Sequence, residues 1–190
     1  RMNYMRLLKL LYIAERESLR DSGGAIIGGS VVAMKRGPVL DEVYALIKNQ
    51  HRMSAEWSKH FQTSRYHLIM HSDPGMTSLS RFMTRKLNEV ADRYLDDDEW
   101  DMVEHTHQFP EWIKNDPGES SQSIPLQDIL SAVGKSDDID RIVSHNSLMA
   151  QASAEISSPV EANLGGSVMS SKSHANAGIA PISESGPHLG

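Results

Sequence analysis

All eleven aromatic side chains of this 190-residue chain lie within its first 112 positions: Trp57, Trp100, Trp112, Tyr4, Tyr12, Tyr44, Tyr66, Tyr94, Phe61, Phe82 and Phe109. Large apolar side chains are what a core is built from, so their distribution marks where a fold can form. Residues 151–190 hold 9 Ser, 6 Ala, 5 Gly and 3 Pro, with four charged side chains and no aromatic. Ordering each residue costs about 1–2 kcal/mol, which a stretch so poor in apolar bulk does not recover. The expected organisation is a folded domain over residues 1–150 and a disordered Ser/Ala/Gly-rich tail over 151–190. A domain of that length is long enough to bury a sizeable core.

Composition then removes several functions. The chain has no cysteine, which excludes a disulfide framework, a thiol nucleophile and a cysteine-ligated zinc or iron–sulfur site. The formal charge is -6, and the tail's three Glu and one Lys account for only a small part of it. An acidic chain is a poor tracker of phosphate backbones, which are held by clustered Lys and Arg. A basic stripe would have to come from Arg6, Lys9, Arg16, Arg20, Lys35 and Arg36, which is sparse, so nucleic acid is not an expected partner. The longest apolar run near the start, Leu10-Leu11-Tyr12-Ile13-Ala14, falls far short of the roughly 20 residues of a membrane span. A cytoplasmic protein without a membrane partner is expected.

Periodicity assigns a mainly helical fold with a small antiparallel β element, an α+β class. Tyr4, Leu7, Leu8, Leu11, Tyr12 and Leu19 recur at helical spacing. Met5, Leu10, Ile13 and Ala14 widen that sector, so the first helix, over residues 3–21, is expected to be buried around most of its circumference. Ser22-Gly23-Gly24 ends it. The β-branched, glycine-punctuated residues 26–34 read as an extended segment, and Gly37-Pro38 as a turn. Leu40, Val43, Tyr44 and Ile47 mark a second helix over 41–50. Residues 57–61 and the alternation of 66–71 read as a hairpin, and Asp73-Pro74-Gly75 as a turn. Thr77 or Ser78 is placed to cap a third helix carrying Leu79, Phe82, Met83, Leu87, Val90 and Tyr94. A fourth helix over 97–106 is expected to turn Trp100 and Val103 inward. A polar loop and two further helices, over about 125–133 and 137–149, complete the domain.

Few of the polar residues form a chemical constellation. Of the nine histidines, His67 and His71 fall about 13 Å apart along a strand, too far to share an ion. His105 and His107 are two apart on a helix end and diverge. No third ligand stands at a diagnostic spacing, so no metal or other cofactor is expected. Asp96-Asp97-Asp98-Glu99 lacks the glycine and spacing of a calcium loop and fits the acidic start of a helix. No Gly-x-Ser-x-Gly elbow or phosphate loop is present, and no catalytic residue is assigned.

A more specific pattern comes from segments taken together. Lys9-Leu10-Leu11-Tyr12-Ile13-Ala14-Glu15-Arg16-Glu17 is followed by Ile27-Gly28-Gly29, then Ala33-Met34-Lys35-Arg36-Gly37-Pro38-Val39, then Glu42-Val43-Tyr44. Leu79-Ser80, His105-Thr106-His107 and Pro110-Glu111-Trp112 come later. This set resembles the Panacea domain, the SocA-like antitoxin family, over residues 5–134. The resemblance implies a cytoplasmic bacterial or prophage-encoded antitoxin, a protein-binding module and not an enzyme. Its partner would be a protein toxin encoded nearby, neutralised by occlusion or by presentation to a cellular protease. The positions carrying the resemblance are Lys9, Tyr12, Glu15, Arg16, Met34, Lys35, Gly37, Pro38, Val39, Tyr44, His107 and Trp112, in structural or partner-binding roles. Tyr12 is expected in the core and Trp112 over a helix end. Glu15 or Arg16 is expected to pair with a charge near residues 34–38, because charges set in apolar segments need partners. Two competing readings remain: a small hydrolase or metal-dependent enzyme, requiring at least two of His60, His105, His107 and Glu111 in one closed pocket, and a prophage-associated regulator.

Overall fold

The computed structural model describes residues 1–157. A two-residue strand, β1 (Met2–Asn3), leads into the long helix α1 (Tyr4–Ser22). Asn3 caps α1 by accepting the amide of Met5. Gly23 closes it in the left-handed conformation at φ 73° and donates to the Leu19 carbonyl, a geometry that favours glycine. As its wide apolar sector predicts, α1 is buried on most of its circumference and has a core on either side. On one side Leu8, Tyr12 and Leu19 pack with Val31, Val39, Leu40, Ile129, Leu130 and Ile142. On the other, Leu10, Ile13 and Ala14 pack with Val90 and Met102. Each such side chain contributes about 1.5–3 kcal/mol when fully buried, so α1 is the rod on which the domain is assembled.

Next come β2 (Val31–Met34), β3 (Gly37–Leu40), α2 (Asp41–Ile47), the single helical turn α3 (Ser54–Trp57), β4 (Phe61–Ser64) and β5 (His67–Met70). The chain continues through α4 (Arg81–Arg93), α5 (Glu99–His107), α6 (Pro110–Lys114), β6 (Ser121–Ile124) and α7 (Leu126–Ala132) to α8 (Ile139–Ser157). The strands form two three-stranded antiparallel sheets, in the orders β1-β5-β4 and β3-β2-β6. The class is therefore mainly α with small antiparallel sheets.

Several local expectations are corrected. Only Val31–Met34 of residues 26–34 is a strand; the amides of Ile26, Ile27 and Gly28 are drawn onto a carboxylate instead. Gly37 and Pro38 are not the turn. The turn is Lys35-Arg36, and Gly37 begins β3. Pro38 is tolerated there because β3 is an edge strand, with only β2 beside it. Residues 54–57 are helical, so the first strand of the later hairpin starts at Phe61. Ser80, not Thr77 or Ser78, caps α4 by accepting the amide of Met83. Trp100 faces out while Val103 is buried. The strand β6 lies in what reads as a polar loop, because Ser121-Gln122-Ser123 carries no apolar alternation. Finally, the last helix, expected to end near Met149, runs as α8 to Ser157, and residues 158–190 of the expected tail lie outside the described residues.

The acidic run behaves as its position predicts. Asp98 accepts the amides of Trp100 and Asp101, and the Asp101 carboxylate accepts the amide of Asp98, a reciprocal capping box at the start of α5. Arg6 of α1 donates to the carbonyls of Tyr94, Leu95 and Asp97, tying the end of α4 to the central helix. No helix among the described residues is long and apolar enough to cross a membrane.

Candidate functional site

The charged residues of α1 divide the work of fixing the surrounding segments. Glu15 is buried, and its carboxylate accepts the amides of Ile26 and Ile27 at 2.8 and 2.9 Å and that of Gly28 at 2.9 Å. A loop without secondary structure thus has its donors satisfied by one side chain. The next residue, Arg16, donates to Glu111 of α6 at 2.7 Å, and its guanidinium stacks over Phe109 at 4.3 Å. Tyr12 donates its hydroxyl to the same Glu111 oxygen at 2.7 Å. Burial and the Glu111 charge push the Tyr12 phenol well above its ordinary pKa, so it stays a donor. Glu17 closes the sequence by pairing with Lys86 and Arg93 of α4. Burial alone would raise the Glu17 pKa, but hydrogen bonds from Arg93 and Lys86 hold it below the usual range.

Neither Glu15 nor Arg16 reaches the segment around Met34, contrary to expectation. Lys9 does. Its ammonium donates to the Pro38 carbonyl at 2.9 Å, and the residue is 1% exposed. Burial lowers its pKa from 10.5 to about 7. Gly37 makes this approach possible: at φ 92° it lies so close that an added Cβ would stand 2.7 Å from Thr106 Oγ1 and 3.1 Å from Lys9 Nζ. Trp112 braces the other side of the hairpin by donating its indole N–H to the Met34 carbonyl at 3.2 Å, and it stacks on His107 at 4.0 Å. His107 is pushed below its ordinary pKa by burial and then by the Lys9 charge, and its Nε2 is buried without a hydrogen-bond partner.

Beside this hairpin opens a cavity of about 920 Å³. Its wall brings together six of the twelve positions singled out in the sequence, Lys9, Met34, Lys35, Gly37, Val39 and Tyr44. Tyr12, Glu15, Arg16, Pro38, His107 and Trp112 do not line it; Pro38 and Trp112 fix the hairpin that does, through Lys9 and the Met34 carbonyl, while Tyr12 and Arg16 hold α6 and Glu15 the loop at residues 26–28. Sequence reasoning missed Tyr4, Arg36, Tyr66, His67 and Trp100, which share the wall with them. Periodicity did not mark the two exposed rings: Tyr66 is 64% and Trp100 52% exposed, and packing places both here. Arg36 stacks over Trp100 at 5.2 Å. Lys48 donates to the Tyr4 hydroxyl at 3.0 Å, which raises its pKa, and sits over the rings of Tyr4 and Tyr44. Of the lining side chains only Glu99 is acidic, against Lys9, Lys35 and Arg36.

The residues named for the enzymatic reading are not brought together at this cavity. None of His60, His105, His107 and Glu111 lines the cavity. His105 bonds the Tyr94 hydroxyl at 2.8 Å, and Glu111 is occupied by Tyr12 and Arg16. Among the described residues no three His, Asp or Glu side chains gather where a metal ion would fit. The basic stripe also dissolves: Arg6 caps α4, Lys9 is buried, Arg16 holds Glu111, Arg20 pairs with Asp21 and Lys35 with Glu119.

Fold and site define an α+β domain with an aromatic, basic recess. The chain belongs to the Panacea family: a family model described as "Antitoxin SocA-like, Panacea domain" matches residues 7–113, more than half its length. Neither the curated proteins nor the solved structures contain a match.

Proposed function

We propose that this protein is an antitoxin that neutralises a toxin encoded by a neighbouring gene, by binding it directly and stoichiometrically. The carrying observation is the family match, which spans α1, the β2–β3 hairpin, α4, α5 and α6. Within the matched span Glu15, Arg16 and Glu17 are engaged in holding the fold, and the recess beside the hairpin is left open to a partner. Occlusion of the toxin needs no third component, so the encounter takes place in the cytoplasm between the two gene products. The test is co-expression. The neighbouring gene's product alone should arrest growth, and this chain should relieve it. Rescue should persist in a host lacking the main ATP-dependent proteases. Rescue that vanishes there would replace occlusion with delivery to a protease, and a harmless neighbour would contradict the antitoxin reading.

A further inference from the structure

Three features of the recess ask for an occupant. Its innermost cation, Lys9, is buried yet has no carboxylate partner among the described residues; its hydrogen bond is to the neutral Pro38 carbonyl. An ammonium has three donors, and one so buried is held at a cost that a carboxylate would offset. At the rim, Arg36 also lacks a carboxylate among the described residues and lies against the exposed ring of Trp100. Tyr66 faces outward from the β4–β5 turn on the same recess. Exposed Trp, Tyr and Arg around an apolar floor, here Leu8, Met34 and Val39, is the composition of an interface centre. The cations stand out because the whole chain is acidic, with a formal charge of -6.

We propose that this recess is the docking site for the toxin, and that it takes an acidic segment of that protein: a carboxylate pairs with the exposed Arg36 at the rim, a neighbouring apolar side chain seats between Tyr66 and Trp100, and the buried Lys9 adds positive charge beneath the recess. The proposal rests on the antitoxin reading and adds to it the surface and the chemistry of the partner. Charge complementarity selects the occupant. A nucleic acid would need a continuous basic track, and on α1 Arg6 is held by backbone carbonyls, Arg16 by Glu111 and Arg20 by Asp21.

The experiment uses the full-length chain and the purified product of the adjacent gene. Binding is measured by titration calorimetry for the native protein and for Arg36→Glu, Trp100→Ala and Tyr66→Ala. Arg81→Glu on α4 is an equal charge change elsewhere. All four sites are exposed, and circular dichroism checks that each variant folds. The proposal expects the recess variants to weaken binding tenfold or more, with Arg81→Glu within twofold of native, and expects Arg36→Glu to be rescued by reversing one acidic residue of the toxin. Recess variants that bind within twofold of native overturn the docking site while leaving the antitoxin reading standing. Equal weakening by Arg81→Glu overturns it in favour of undirected charge attraction. A dimer of this chain that Trp100→Ala dissolves gives the recess to a second copy. Removal of residues 158–190 that alone strengthens binding tenfold gives it to the chain's own C-terminal segment. A native protein that neither binds nor neutralises the neighbour overturns both readings.

Discussion

At the scale of single residues, Arg16, Gly37 and Lys9 make the clearest predictions. Arg16 and Tyr12 both meet the buried carboxylate of Glu111. Removing one partner of such a pair strands the other, at about 3–5 kcal/mol. Arg16→Glu should therefore lower the urea midpoint sharply, and an unchanged midpoint would contradict the arrangement. The outcome resembles what the sequence suggests, but the partner differs: it is an acid on α6, not a charge of the hairpin. Gly37→Ala combines a positive φ with a Cβ 2.7 Å from Thr106 Oγ1, so a loss of about 1–3 kcal/mol is expected, read in the same unfolding experiment. Lys9 predicts a pH dependence. Its amine titrates at about 7 when folded and near 10.5 otherwise, so between those values the unfolded chain binds the extra proton. Stability should rise with pH across that window, and the penalty should be complete below about pH 7. The melting temperature of the native protein, relative to Lys9→Met, should climb between pH 7 and 10; a constant difference would show that Lys9 is not buried as described.

At the scale of elements, a long strongly periodic helix is readable from spacing alone, whereas short strands are not. The circumferential burial of α1 follows from Leu7, Leu8, Leu10, Leu11 and Ile13, and its end from Gly23. In β6 the side chains are Ser, Gln and Ser, and pairing with β2 is decided by backbone partners distant in sequence. Pro38 reads as a turn because its ring fixes φ, yet an edge strand accommodates it; which strand is an edge is a property of the sheet. The loop at residues 26–28 takes its shape from three amides on Glu15. Glu15→Ala should leave those donors unpaired and speed hydrogen exchange at Ile26, Ile27 and Gly28 while the amides of α4 keep their protection. Unchanged exchange at all three would remove Glu15 from its role as the anchor of that loop.

At the scale of the whole molecule, the recess draws its wall from α1, the β2–β3 hairpin, α2, the β4–β5 turn and the start of α5. Six of the seventeen wall residues were legible, because Lys9, Met34, Lys35, Gly37, Val39 and Tyr44 lie in the motifs that carry the resemblance. Tyr66 and Trp100 were not. Each sits in a separate segment whose periodicity is satisfied whether the ring turns in or out, and only packing places both beside the hairpin. The histidines teach the converse: His105 and His107 look like chemistry in one dimension and prove to be ring partners of Tyr94 and Trp112. What the family match adds is the class of function, which neither periodicity nor the cavity supplies. The central claim is that the protein acts by holding a protein partner, and mass measurement on a mixture of the two purified gene products tests it most directly. A complex of fixed one-to-one composition, formed at the concentrations that abolish toxicity, is the predicted result; loss of toxicity with the two proteins remaining separate species would contradict it.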